Sequence, residues 1–350
     1  MYNTSFLNHE VPMFRPIVTA VAAAATAILL SASAFAQGIP VRVGVIPIVG
    51  AAPIFVANGQ GWAKADGLDL RFTTFESGPN MIQALASGTI DVYVAGIAPL
   101  AVARTKGIDV KVVAATAIEE MVFVAAPKLA AYFAPGVSAA DAFKAYRAKE
   151  GKAARLATQP PGSVPNTTLQ HWLWEVGKVA KSDAEVVGMG IDATQQAVLA
   201  GAVEGASIRE PALTIVQTRN PQVKLVAVGG EMFPQQPGTV VAVSGAFLAK
   251  NPDAVQKIVT AVVRATELLK TDPAKAAPDV EAALGKGITD VATIQKALTS
   301  PASRFVADPR VIIDATQKMQ AYQVSIGTLD KEVPLDGLFE PRFFERATAR

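Results

Sequence analysis

The sequence predicts an α/β protein of two lobes around a cleft, each lobe carrying a doubly wound, mostly parallel sheet. Three observations support this. Short apolar runs alternate with helical segments from Val41 to about Val228. The alternation comes as two successive series with short connections. Beyond "TVVAVS" (Thr239 to Ser244) the chain turns mainly helical, from Asn251-Pro252 to about Tyr322. A β-α-β-α rhythm of this kind specifies a parallel sheet with helices on its faces.

In the first series "VRVGVI" (Val41 to Ile46) reads as a buried strand, followed by a helix from Ala52. "LDLRFTTF" is the next strand, and "GPNMIQALASG" a short helix with Ser77 or Gly78 as cap and Pro79 in its first turn. "IDVYVAG" (strand), "APLAVARTKG" (helix) and "DVKVVAAT" (strand) complete it. The second series opens with the strand "MVFVAAP". Ser138 and Asp141 resemble a capping box for a helix reaching Lys149. "ARLAT" is a strand, and a helix spans about Val164 to Glu175. "EVVGM" follows, then a helix capped by Asp192 and Gln195, and the strands "GASI" and "VKLVAV". The helical tail breaks at Asp272-Pro273, Gly285 to Gly287 and Ser300-Pro301.

Composition narrows the functional classes. Of 350 residues 51% are hydrophobic and 18% charged, with 32 basic and 30 acidic residues giving a net charge of +2. No basic run exceeds two residues, so nothing points to nucleic acid or an anionic membrane surface. Cysteine is absent, which removes disulfides, thiolate metal sites and cysteine nucleophiles. Near the N-terminus Arg15 precedes an uncharged run from Ile17 to Leu30, and Ala34-Phe35-Ala36 fits a small-x-small cleavage pattern. This reads as a secretory signal over residues 1–36, with either Met1 or Met13 as the start. The run is shorter than the roughly 20 residues a membrane span requires. No Cys stands at the cleavage point to carry a lipid anchor.

The candidate site residues sit where predicted strands give way to helices. Ser77 and Gly78, and again Gly162 and Ser163 in "QPPGSVPN", either cap a helix or also offer N–H groups and a hydroxyl to a ligand. Ile97 lies in a turn with no polar side chain, and Ile48 and Val49 in "PIVGA" supply an apolar wall. In "SIREPAL" Arg209 offers a bidentate fork to an anion, and Glu210 an acceptor or a brace; an interlobe ion pair is the competing reading. Glu119-Glu120 sit at the suspected crossover in a solvated or hinge role. His171, alone in "LQHWLWE", reads as structural. No nucleophile elbow, phosphate loop or dinucleotide fingerprint is present, so no enzyme chemistry, cofactor or metal is expected.

In order along the chain, "VGVIPIVGAAPIFVANGQGWAKADGLDL", "SGPNMIQALASGTIDV", "ATQPPGSVPNTTLQHWL" and "GAVEGASIREP" resemble the periplasmic substrate-binding proteins of ABC importers for nitrate, sulfonates and taurine. That group also includes pyrimidine-precursor binders. The resemblance runs from about Val41 to Lys270. It implies a type II periplasmic binding fold with two hinge strands: lobe one from residues 37–120 and 244–350, lobe two from 121–243. It implies contacts at the residues above, with Thr239 added from the return hinge, and a monomer that delivers a small solute to a membrane permease. Arg209 departs from the family, which often has an aromatic or aliphatic residue before Glu-Pro. That departure is the hint for an organic anion such as a sulfonate, taurine or nitrate, against a neutral heteroaromatic such as a pyrimidine precursor. A third alternative is an enzyme of the thiamine-pyrimidine synthase type, whose chemistry relies on cysteine and histidine.

Overall fold

Strands form where β-branched and small apolar residues run together, and they are buried on both faces where helices cover the sheet. Val92 to Gly96 is such a run, with every residue buried. The structure, a computed structural model, describes residues 1–2, 38–285 and 289–349. The predicted signal segment and its cleavage point lie outside the described residues, apart from Met1 and Tyr2.

The strands are β1 (Ile39–Val45), β2 (Leu68–Thr74), β3 (Val92–Gly96), β4 (Val110–Ala115), β5 (Ala117–Ile118), β6 (Val122–Ala125), β7 (Ala154–Thr158), β8 (Ala184–Gly188), β9 (Gly205–Ile208), β10 (Lys224–Val228), β11 (Thr239–Ser244) and β12 (Arg304–Phe305). They build two five-stranded sheets, in the orders β2-β1-β3-β11-β4 and β10-β6-β9-β7-β8. Within each sheet the βα units pair in parallel, β1 with β3 and β7 with both β8 and β9. The strands next to the crossings run antiparallel: β11 against β3 and β4, and β6 against β9 and β10. β11 therefore belongs wholly to the first sheet, six residues that the expected second lobe, drawn to Val243, had mostly claimed.

The chain passes from the first sheet to the second between Ala115 and Val122 and returns between Val228 and Thr239. The two crossings are bonded to each other. The Thr116 N–H donates to the Thr239 carbonyl (2.9 Å) and the Glu119 N–H to the Gln236 carbonyl (2.9 Å). The Met121 N–H donates to Gln236 Oε1 (3.1 Å). β12, from the helical C-terminal region, adds to β5 as a short antiparallel pair, and Arg304 forms an ion pair with Glu119.

One continuous core joins the first sheet to the long amphipathic helix Pro252–Thr271 and its neighbours. The second sheet has an apolar cluster on each face. Helix Val164–His171 passes into a π-helical turn, Trp172–Val176, where a single helix was predicted. His171 is structural, as expected: Nδ1 lies 2.8 Å from the Met232 carbonyl, and the ring packs on Phe233 and Tyr322. Helix Ile191–Leu199 is capped differently from the prediction. Its N-cap is Gly190, which has no side chain to cap with. Glu76, from the first series, fills that role from across the cleft. Its carbonyl accepts from the Ile191 N–H at 3.4 Å. Gly190 has an ordinary negative φ of −64°, yet a Cβ there would lie 2.8 Å from Glu76 Oε2. A side chain there would have only to displace the carboxylate end of the exposed Glu76.

Candidate functional site

Open α/β sheets place their ligands beyond the carboxyl ends of the strands. The ends of β7 and β9 meet there a cavity of about 50 Å³. Its walls include Pro47 from the first series, Met121 from the outgoing crossing, and Gln159, Ser207, Arg209 and Glu210 from the second series. Of the predicted site residues, Arg209 and Glu210 line it.

Arg209 is 3% exposed and its terminal nitrogens are engaged within the protein. Nη1 donates to Glu120 Oε1 at 2.9 Å and Nη2 to Gln159 Oε1 at 3.3 Å. Glu120 Oε1 also accepts from the Thr239 hydroxyl at 2.6 Å. Glu120, whose side chain is 2% exposed, is thus a buried hinge group and not a solvated one. A Cβ on Gly50 would lie 2.0 Å from Glu120 Oε2, so the Pro47–Ala51 loop lies hard against this pair. Guanidinium, carboxylate and hydroxyl come from β9's end, the outgoing crossing and the return strand, and together tie the two sheets at the hinge. Two atoms of the cluster, Arg209 Nε and Glu120 Oε2, are buried without a hydrogen-bond partner.

Glu210 braces its own segment. Its carboxylate accepts from the Thr214 N–H (3.0 Å) and the Thr214 hydroxyl (2.9 Å), and its carbonyl from the Val49 N–H (3.0 Å). Burial raises its carboxyl above the ordinary 4.5, with the Thr214 bonds pulling the other way. The folded state then holds this proton more tightly than the unfolded chain, so the Glu210 contribution to stability falls as pH rises from about 4.5 through the folded value. Thermal midpoints of wild type and Glu210→Gln, followed from pH 4 to pH 7, are expected to converge at the acid end. The variant is expected to lack that part of the decline. Parallel curves would contradict this.

The remaining predicted residues are buried but spread around the cluster. Ser77 caps helix Gly78–Ala86 through the Asn80 N–H (3.4 Å), and Ser163 caps helix Val164–His171 through the Asn166 N–H (3.3 Å). Both hydroxyls thus have the N-cap job of the plainer reading. The Gly162 carbonyl accepts from Gln323 Nε2 (3.4 Å), and the Ile97 N–H donates to the Gly238 carbonyl (3.1 Å). Ile48 and Val49 are buried, with 0% and 1% exposure. Gly78 packs against Tyr93, whose hydroxyl donates to the Gly96 carbonyl (2.7 Å). Gln159 and Ser207, which open "QPPGSVPN" and "SIREPAL", also line the cavity; their one signal as site residues was position, beside the end of a predicted strand. Among the described residues no group of three or more His, Asp or Glu side chains is placed to hold a metal ion.

Residues 37–284 match the NMT1-like family. A protein of Brucella abortus (strain 2308), named only as a candidate binding protein, is 25% identical over 70% of this chain and 71% of its own length. Among solved structures, the periplasmic nitrate-binding protein NrtA from Synechocystis PCC 6803 superimposes with a TM-score of 0.75 at 14% identity, covering 89% of this chain and 88% of that one. The alkanesulfonate-binding protein SsuA from Xanthomonas axonopodis pv. citri, bound to MOPS, gives 0.68 at 20% identity, covering 87% and 99%. These likenesses establish the type II periplasmic binding fold. An enzyme also appears among the relatives: a 4-amino-5-hydroxymethyl-2-methylpyrimidine phosphate synthase of Saccharomyces cerevisiae, 26% identical over 64% of each chain.

Proposed function

The chain belongs to the NMT1-like family, and on that premise we propose that it is the periplasmic solute-binding component of an ABC importer. It holds one small solute between its lobes, acts as a monomer, and hands the solute unchanged to the permease. The lobes are the two sheets with their helices, with the crossings at 115–122 and 228–239 as hinges. The observation that carries this reading is a cavity at the strand ends, walled by both series and by a crossing. Such a site can open to admit a solute and close to exclude water.

Charge balance bears on the solute. The cavity's one guanidinium is paired with Glu120 before any solute arrives, and Glu210 and Asp192 add carboxyl groups to the lining. An anion entering there meets a committed cation and two acidic neighbours, so a neutral solute, such as a heteroaromatic of the pyrimidine kind, fits better. The second reading, a small organic anion, is favoured by Arg209 Nε, which is buried without a partner.

Calorimetry with uracil, cytosine, nitrate, methanesulfonate and taurine separates these readings, alongside mass spectrometry of small molecules carried through purification. Neutral rings are expected to bind and the anions not to. Binding by anions alone would reverse the charge assignment. Chemical alteration of a bound compound on incubation with iron and oxygen would replace the receptor with an enzyme.

A further inference from the structure

The cavity has one corner where buried polar atoms are left without partners. Ser207 is 2% exposed and lines the cavity, and its Oγ has no hydrogen bond within the protein. Arg209 Nε is in the same condition two residues further along. Arg209 directly follows the last residue of β9, so the two residues stand about 6–7 Å apart along the backbone, and both line the cavity. Thr158, at the end of the neighbouring parallel strand, follows the Ala157–Ala206 pair in register, and its Oγ1 is also buried and unpartnered. An unpaired buried polar group costs on the order of 1–3 kcal/mol, so two such groups on cavity-lining residues, with a third behind them on the neighbouring strand, are expensive for the fold alone. A ligand that supplies their partners removes that cost.

The chemistry of the corner is specific. Arg209 Nε can only donate, and the Ser207 hydroxyl can donate as well. The Arg209 charge is neutralised by Glu120, and the adjoining walls from Pro47, Met121, Pro165 and Ile208 are apolar. We infer that Ser207 and the Nε edge of Arg209 form the specificity corner of the site, reading a carbonyl oxygen on a neutral, planar solute. This rests on the solute-receptor reading above. Arg209 keeps its two hinge bonds throughout, so a single side chain serves the hinge with its terminal nitrogens and the solute with its Nε.

The test compares uracil with pyrimidine, the same ring without carbonyl oxygens, by calorimetry on wild type and Ser207→Ala, with methanesulfonate as the anionic probe. Wild type is expected to prefer uracil over pyrimidine by at least tenfold. Ser207→Ala is expected to lose about tenfold of that preference, close to what one buried hydrogen bond supplies. Removing a hydroxyl that has no partner in the protein leaves the fold intact, so the variant's thermal midpoint in the absence of solute is expected at or above that of wild type. A lowered midpoint would assign the hydroxyl to the fold and overturn the inference. So would an unchanged uracil preference in the variant. Binding of methanesulfonate alone overturns the carbonyl corner and leaves a receptor in place. A wild type that binds none of the three probes and carries no small molecule through purification overturns the receptor reading, and the corner with it.

Discussion

Glu120→Ala is expected to lower the unfolding free energy by about 3–5 kcal/mol, the range for removing one partner of a buried ion pair. The loss comes from what is left behind. Arg209 stays buried at 3% exposure, with Gln159 as its remaining side-chain partner, and the Thr239 hydroxyl loses its acceptor. Glu120→Gln keeps the volume and one accepting oxygen but discards the charge, so its loss is expected to be smaller. Replacing both members, Glu120→Leu with Arg209→Met, is expected to recover much of the stability, because apolar pairs of similar volume often match buried ion pairs. The crowding at Gly50 limits that recovery: loop atoms lie against Glu120, and a branched side chain has little room to turn. Urea unfolding of the four proteins with m-values fitted in each case measures this series. Raising NaCl to 1 M should leave the order unchanged, since buried pairs are poorly screened. A Glu120→Ala cost below about 1 kcal/mol would show that the pair does not hold the crossings together, and the hinge account would fail with it.

The same pair shows where the sequence was legible and where it was not. Strand and helix identities came through because periodicity is local: "VYVAG" and "ARLAT" became β3 and β7. The two-series rhythm also gave the two sheets. Pairing direction at the crossings was not local. β11 runs antiparallel to its neighbours in the first sheet, to which the chain returns from the other sheet. Arg209 stood out by its charge before Glu-Pro, but its partner lies 89 residues earlier, and no spacing rule links them. For Glu120 a solvated role and a hinge role both stayed open, because two adjacent acids are usually exposed and burial of one of them depends on tertiary contacts. Ser163 and Ser77 were correctly read as helix starts, while Ser207 drew no notice because a lone serine at a strand end has no pattern. Gly190 is the converse case: its contact with Glu76, which comes from another part of the chain, has no local signal.

Phe123→Ala is the other large effect expected, again about 3–5 kcal/mol, the usual range for truncating a buried aromatic. Phe123 is fully buried on β6, the strand that enters the second sheet from the hinge. Its ring lies 4.5 Å from Trp172 and 6.2 Å from Phe143, centroid to centroid. A Cβ on Gly205, its neighbour on β9, would come within 2.7 Å of the Phe123 ring. The ring is therefore enclosed by two aromatics on the helix side and by bare backbone on the sheet side. A sheet bonded on both edges of β6 cannot collapse into the space an alanine leaves, so the cavity term adds to the lost transfer energy. Phe123→Leu fills most of that space and is expected to cost less than half as much. The damage should also be directional. Hydrogen exchange is expected to speed up in β6, β9 and helix Val164–His171, while β1 and β3 keep their protection, because the first sheet draws on a separate apolar cluster. Uniform acceleration across both sheets would instead mean that the two lobes unfold as one cooperative body. The hinge would then couple their stabilities more tightly than two clusters meeting at two crossing strands implies.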